Sequence, residues 1–239
     1  MKVLAYLLCA VLMATPVPRA VAFCNVPQPR LVCAEYFKSQ LVVEAKLDQI
    51  KAIRDETGPD AVLAHVYTLE VNRVIRGTTG ASVQVYEGED SGRATFDWVL
   101  GKRYLLFLFR NAQENSWALD GCGNSGPLDK AGAALSKIEA IKRALDGGTI
   151  YGIVSQQALS RTIPGVHVEA QGKDSRYAAA TNDRGEFQMN VPAGHYSVLV
   201  VEHGVSFEKT DISYEDPAGI QIEPGGCAQI QFAEVEGSQ

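Results

Sequence analysis

The spacing of apolar residues changes twice along the chain, and each change marks a different kind of element. From Leu41 to Leu47 apolar side chains (Leu41, Val43, Ala45, Leu47) alternate with Glu44, Lys46 and Asp48, the period of a strand with one buried face. After a turn at "DETGPD", a longer strand is predicted from Ala61 to about Arg76, with Tyr67, Leu69, Val71 and Ile75 on one side and Thr68, Glu70 and Asn72 on the other. "RGTTG" ends it. "SVQVYEG" reads as a third strand, and "GKRYLLFLF" is apolar on both faces, as a central strand covered on both sides must be. The short "SWALD" makes a fifth. Leu128, Ala131, Leu135, Ile138 and Leu145 then recur at helical spacing, predicting a helix of about five turns. Pro127 is acceptable in its first turn, Asn124 or Ser125 can cap it, and Gly147 can end it.

"DGG" at 146–148 marks a boundary, because strand periodicity returns beyond it. Val166, Val168 and Ala170 face one way, as do Phe187, Met189 and Val191, then Tyr196, Val198 and Val200. Short strands separated by Gly, Pro and Asn-Asp turns describe a β-sandwich. The five strands and helix before the boundary suit a Greek-key barrel of the oligonucleotide/oligosaccharide-binding (OB) type. The expected fold is therefore mainly β, a barrel over residues 23–147 with a C-terminal helix, then a sandwich over residues 148–239.

Residues 1–22 stand apart from both. Lys2 precedes the apolar run "VLAYLLCAVLMA", and "AVA" ending at Ala22 supplies the small residues that a signal peptidase accepts. The expectation is an exported chain, periplasmic or extracellular, starting at Phe23. No later apolar run approaches the ~20 residues of a membrane helix, so membrane insertion is not expected. Removing residues 1–22 takes away Lys2 and Arg19 but no acid, leaving 20 basic residues against 28 acidic ones. That balance argues against nucleic acid and anionic membrane surfaces as partners. Cys9 leaves with the signal, and an even count of four cysteines in an oxidising compartment reads as two disulfides with three connectivities open.

Reactive chemistry is hard to assemble from what remains. "DGCGNSGPL" superficially resembles the nucleophile motif of chymotrypsin-type proteases. However, only 102 residues of the expected mature chain precede Ser125, too few for a double barrel, and the following run is helical where strands are needed. His65, His167, His195 and His203 share no short ligand motif and read as ordinary surface histidines. "YEGEDSG" and "SYEDPAG" lack the ligand spacing of a calcium loop. Tyr104, Phe107 and Phe109 could stack bases or sugars on a barrel, but read better as core. No catalytic residue, metal site or cofactor is expected.

Two resemblances add to this reading. "PGVHVEAQG" followed by "TNDRGEFQMNVPAGHYSVLV" resembles the carboxypeptidase regulatory-like domain, a transthyretin-like or immunoglobulin-like β-sandwich. The resemblance implies a non-catalytic scaffold with a tight turn at Asp183 to Gly185, and with Phe187 and Tyr196 in one core. "CNVPQPRLVC", "LVVEAKL", "YTLEVNRVIRG" and "LDGCG" are together similar to the netrin-type module of the tissue inhibitors of metalloproteinases. That module's cross-links imply Cys24 paired with Cys122, and we extend the pattern to Cys33 with Cys227 across the two domains. The inhibitors chelate a protease zinc through an N-terminal Cys, whereas here Phe23 would precede Cys24, and Val26 stands where a second Cys is expected.

The expected function is that of an exported, non-catalytic binding protein. Its ligand would be a protein, contacted by Cys24, Asn25, Val26 and Pro27 and the adjoining barrel loops. The alternative is a secreted metalloprotease inhibitor using the Cys24 to Pro27 edge.

Overall fold

The computed structural model describes residues 30–55, 58, 61–89, 96–111, 115–156, 161–201, 206–210 and 215–235. The signal segment, the Cys24 to Pro27 edge and His203 lie outside them.

A short helix, α1 (Val32–Lys38), leads into β1 (Leu41–Arg54). Next come β2 (Val62–Arg76), β3 (Ser82–Gly88), β4 (Arg103–Asn111) and β5 (Ser116–Leu119). Their order is β1-β2-β3-β5-β4, and β4 pairs back onto β1, so the sheet closes on itself. This is the Greek-key barrel expected, and closure removes most free sheet edge. A two-residue strand, β6 (Gly126–Pro127), adds to β4, and a 3-10 turn (Leu128–Lys130) leads into α2 (Gly132–Arg143).

Alternation along β4 assigns its two faces. Tyr104, Leu106 and Leu108 fill the barrel with Leu41, Val43, Ala45, Leu47, Tyr67 and Leu69, while Leu105 and Phe107 point outward under α1 and α2. All five residues from Tyr104 to Leu108 are fully buried, which is why this strand reads as apolar on both faces. β2 departs from the expected pattern, because register shifts along β1 opposite Val71, Arg73, Val74 and Arg76 break its alternation. Ile75 consequently packs with Tyr36 and Val42 in the outer layer, not with Val71 inside.

The helix is shorter than its apolar spacing suggests. It ends at Arg143 with Ala144 already extended, and Leu145 is 96% exposed. No side chain caps its start at Ala131. A distant turn sets its end: the Gly147 carbonyl accepts a hydrogen bond from the Gly225 amide, and the 223–226 turn packs on Ile141 and Ala144, so the chain must straighten there.

The second half stacks two sheets. One has the order β10 (Arg176–Ala180), β9 (His167–Gln171), β12 (Gly194–Val200) and β14 (Ile220–Ile222). The other has β11 (Glu186–Val191), β7 (Gly148–Gln156), β15 (Cys227–Glu234) and β13 (Phe207–Lys209), with β8 (Arg161–Thr162) on β7. β15 runs parallel to β7, so the first and last long strands lie side by side in mid-sheet. Phe187, Met189, Val191, Tyr196 and Val198 meet in one core with Ile150, Val168 and Ile230. Phe187 crosses Gly152 on its neighbouring strand, where a Cβ would overlap the ring. The Tyr196 hydroxyl donates to the Pro192 carbonyl at 2.9 Å. The Asp183 to Gly185 turn is organised by Asn182, whose side-chain oxygen accepts from the Arg184 and Glu186 amides.

α1 joins the two halves. Cys33 on its first turn is bonded to Cys227 at the start of β15, with Cα atoms 5.4 Å apart. Beside the bond, the Leu31 amide donates to Gln229 Oε1 at 2.7 Å, and Lys38 pairs with Glu215 at 3.2 Å. Burial raises the Glu215 carboxyl above its ordinary range, and Lys38 opposes that rise. On its other flank Arg76 donates to the Ser39 and Phe37 carbonyls and stacks over the Tyr36 and Phe37 rings.

The cross-link spans 194 residues. In the chain-entropy account a loop of that length contributes about 5 kcal/mol. Cys227→Ser is therefore expected to lower unfolding free energy by several kcal/mol in urea titrations, and to separate one cooperative transition into two.

Candidate binding groove

Arg30 lies next to the loop that leaves β5, and a groove of about 490 Å³ opens there. Its walls come from five places: Arg30; Val85, Tyr86 and Glu87 on β3; Trp98 from the segment before β4; Phe109 on β4; and the run Leu119 to Cys122. A volume in the range of roughly 300–1,000 Å³ accommodates a few side chains or a small ligand.

Its charges are already engaged. Arg30 Nη1 pairs with Asp120 Oδ2 at 3.2 Å and the guanidinium lies 5.8 Å from the centre of the Phe109 ring. Glu87 accepts from Trp98 Nε1 at 3.2 Å. Trp98 in turn stacks on Tyr67 with ring centres 4.5 Å apart, and Phe96 and Tyr104 close the cluster. The Tyr67 hydroxyl is held far above its ordinary pKa, first by burial and then by Glu87. A groove with paired charges and aromatic walls offers apolar contact, not a charged grip.

One wall is fastened from behind by Glu35. Its side chain is fully buried, although charged residues are almost never so unless paired. Oε2 accepts from the Asn124 amide at 2.6 Å and from Asn124 Nδ2 at 2.7 Å, and the same Nδ2 reaches the Arg30 carbonyl at 2.8 Å. Oε1 has no hydrogen-bond partner among the described residues. Gly123 makes the approach feasible, since a Cβ there would overlap the Glu35 carboxyl. Burial pushes the Glu35 carboxyl from 4.5 up to about 7, against the lowering effect of the Asn124 hydrogen bonds and Arg30.

Several residues singled out in the sequence fall around this groove. Cys122 lines it and is disulfide-bonded. Cys24, Asn25, Val26 and Pro27 lie outside the described residues. Asn124 and Ser125 do not cap α2: Asn124 binds Glu35, and Ser125 Oγ accepts from the Phe107 amide at 2.9 Å. Ser125 thus holds β4, and among the described residues no histidine is a hydrogen-bond partner of it. Of the aromatic trio, Tyr104 and Phe107 are core and Phe109 alone reaches the groove. His65 faces Glu89 at 2.8 Å, and His167 and His195 are exposed. Sequence reasoning missed Arg30, Asp120 and Glu35. The one local signal was Glu35 itself, a lone acid inside "LVCAEYF".

No family model matches the chain, and no curated protein matches it in sequence. Among solved structures it is similar to the TIE protein of Bacillus anthracis, at 9% identity and a TM-score of 0.28, over 82% of this chain and 31% of that one. It is also similar to a variant of the major pilin subunit of Bacillus cereus, at 10% identity and a TM-score of 0.30, over 84% of this chain and 62% of that one. The chain spans less than two thirds of either. The fold assignment rests on the strand order, not on these distant likenesses.

Ser125→Ala leaves the Phe107 amide without its acceptor and should cost about 1–3 kcal/mol in chemical unfolding. Glu35, with a folded pKa raised above its unfolded value, stabilises the fold relative to its ionised state below pH 4.5, and that contribution is lost as pH rises through about 7. Glu35→Gln keeps an acceptor for Asn124 but does not titrate. Denaturation at pH 5 and pH 8 should show the wild-type stability difference altered by about 2–3 kcal/mol in the variant, with the variant relatively more stable at the higher pH.

Proposed function

We propose that the protein is an exported, non-catalytic binding protein whose barrel takes an apolar segment of a protein ligand in the groove between Trp98, Phe109 and Leu119. The observation that carries this reading is the groove's chemistry: aromatic and aliphatic walls, with Arg30, Asp120 and Glu87 already paired inside the protein. Such a surface gains by excluding water from a partner and loses little by desolvating charges. The segment from Cys24 to Pro27 would extend the contact surface, since Arg30 and Cys122 both line the groove. Disulfide bonding of Cys33, Cys122 and Cys227 supports an oxidising compartment, hence export.

The closed order β1-β2-β3-β5-β4 and the disulfide-bonded Cys122 after β5 support reading the first half as a netrin-like domain. The sandwich, with Phe187 and Tyr196 in one core, supports a carboxypeptidase regulatory-like domain acting as scaffold. On this reading residues 23–147 and 148–239 are separate domains joined through α1.

A photoreactive phenylalanine in place of Tyr86 should give a discrete protein adduct in the source cells, whereas one at the exposed His195 should not. Phe109→Ala should weaken that adduct about tenfold with unchanged thermal unfolding. Equal labelling from both positions, or an adduct indifferent to Phe109→Ala, would remove the groove from consideration. The inhibitor reading has its own check: a mature chain starting at Cys24 that inhibits a zinc protease stoichiometrically would replace the first reading.

A further inference from the structure

Glu35 and the groove share a residue. Arg30 lines the groove, with its side chain 14% exposed and paired to Asp120, and its positive charge also acts on the buried Glu35 carboxyl. Glu35 Oε1 has no partner among the described residues, and Asn124, the donor to Oε2, is neutral. Among the described residues, Arg30 and Asp120 are the charged groups that act on Glu35, and the nearby Cys122 is disulfide-bonded and does not titrate. A protonated carboxyl can sit in this place with its two Asn124 bonds. An ionised one cannot be left there with a bare oxygen, because a buried charge without a counterion costs several kcal/mol.

We propose that Glu35, Arg30 and Asp120 form a proton-operated switch in the groove wall, in which ionisation of Glu35 draws Arg30 away from Asp120 and off the Phe109 ring. With Glu35 protonated, Arg30 holds Asp120 and covers Phe109, and the wall stands as described. With Glu35 ionised, Arg30 turns inward, Asp120 is left to solvent, and the Phe109 face of the groove opens. The direction follows from competition between two carboxylates for one guanidinium. Asp120 is 28% exposed and can be solvated by water, whereas Glu35 is fully buried and cannot. Burial lifts the Glu35 carboxyl to about 7, which places the switch within the pH range an exported protein meets. Its use in regulating ligand capture rests on the groove being the binding site. The switch itself is a property of the free protein.

The test is NMR on the full mature chain without ligand, following the Arg30 side-chain N–H and the Phe109 ring protons between about pH 5 and pH 9. Both should shift with one midpoint near 7. Glu35→Gln should abolish that midpoint at both probes. Asp120→Asn should lower it, because the Asp120 charge helps to keep Glu35 protonated. Arg30 and Phe109 signals that stay flat in the wild type, or a midpoint that survives Glu35→Gln, would overturn the proposal. A working switch in a protein whose Tyr86 position captures no partner would instead count against the binding reading and leave the switch standing.

Discussion

Seven residues are too few for a helix to hold its shape in water, so the position of α1 depends on what it is tied to. Two ties run in opposite directions. Glu35 enters the barrel side and grips Asn124, while Cys33 is bonded to the first residue of β15 in the sandwich. Arg76 clamps the end of the helix by its carbonyls and rings. Register between the halves, the course of the chain at Arg30 and the wall of the groove all depend on where this helix sits. The barrel closes without it, since β4 pairs with β1 directly. The groove lacks that independence, because Arg30 lies two residues before the helix and Asn124 two residues after Cys122.

Most of the barrel and sandwich was legible because burial on one face of a strand leaves a period of two in the sequence. β4 and the inward residues of β1 are the clearest cases. Where a second layer covers the outer face, alternation is lost, and Val42 and Ile75 then carry no sign of which layer they join. The overlong helix has the same origin. Leu145 continues the apolar spacing beyond α2, but packing of the 223–226 turn, some 80 positions on, ends the helix first. Helix α1 was missed because "VCAEYFK" is too short for periodicity to register and its helical form depends on distant partners.

The groove was less legible than the fold. Its residues come from five separated stretches, and Arg30, Asp120 and Glu87 become recognisable only once their pairings are seen. Ser125 and Cys122 stand out in the sequence because reactive residue types are conspicuous. The structure keeps the place and changes the roles: Cys122 fastens, Ser125 satisfies a strand amide, and Asn124 receives a buried carboxyl.

A carboxyl is an expensive choice for the position Glu35 occupies. A glutamine there could accept the same two hydrogen bonds from Asn124 without any cost of ionisation, and a leucine could fill the space without a polar atom to satisfy. What only the acid provides is a second state. In its ionised form it competes for Arg30, and it does so beside a residue pair that is partly open to solvent. The opposite arrangement, an exposed carboxyl in place of Glu35, would be neutralised by water and could not move a guanidinium. Full burial at one end of a shared arginine and partial exposure at the other is therefore the feature that turns a costly contact into a directional one, and Gly123, which leaves room for the carboxyl, is the residue on which that burial depends.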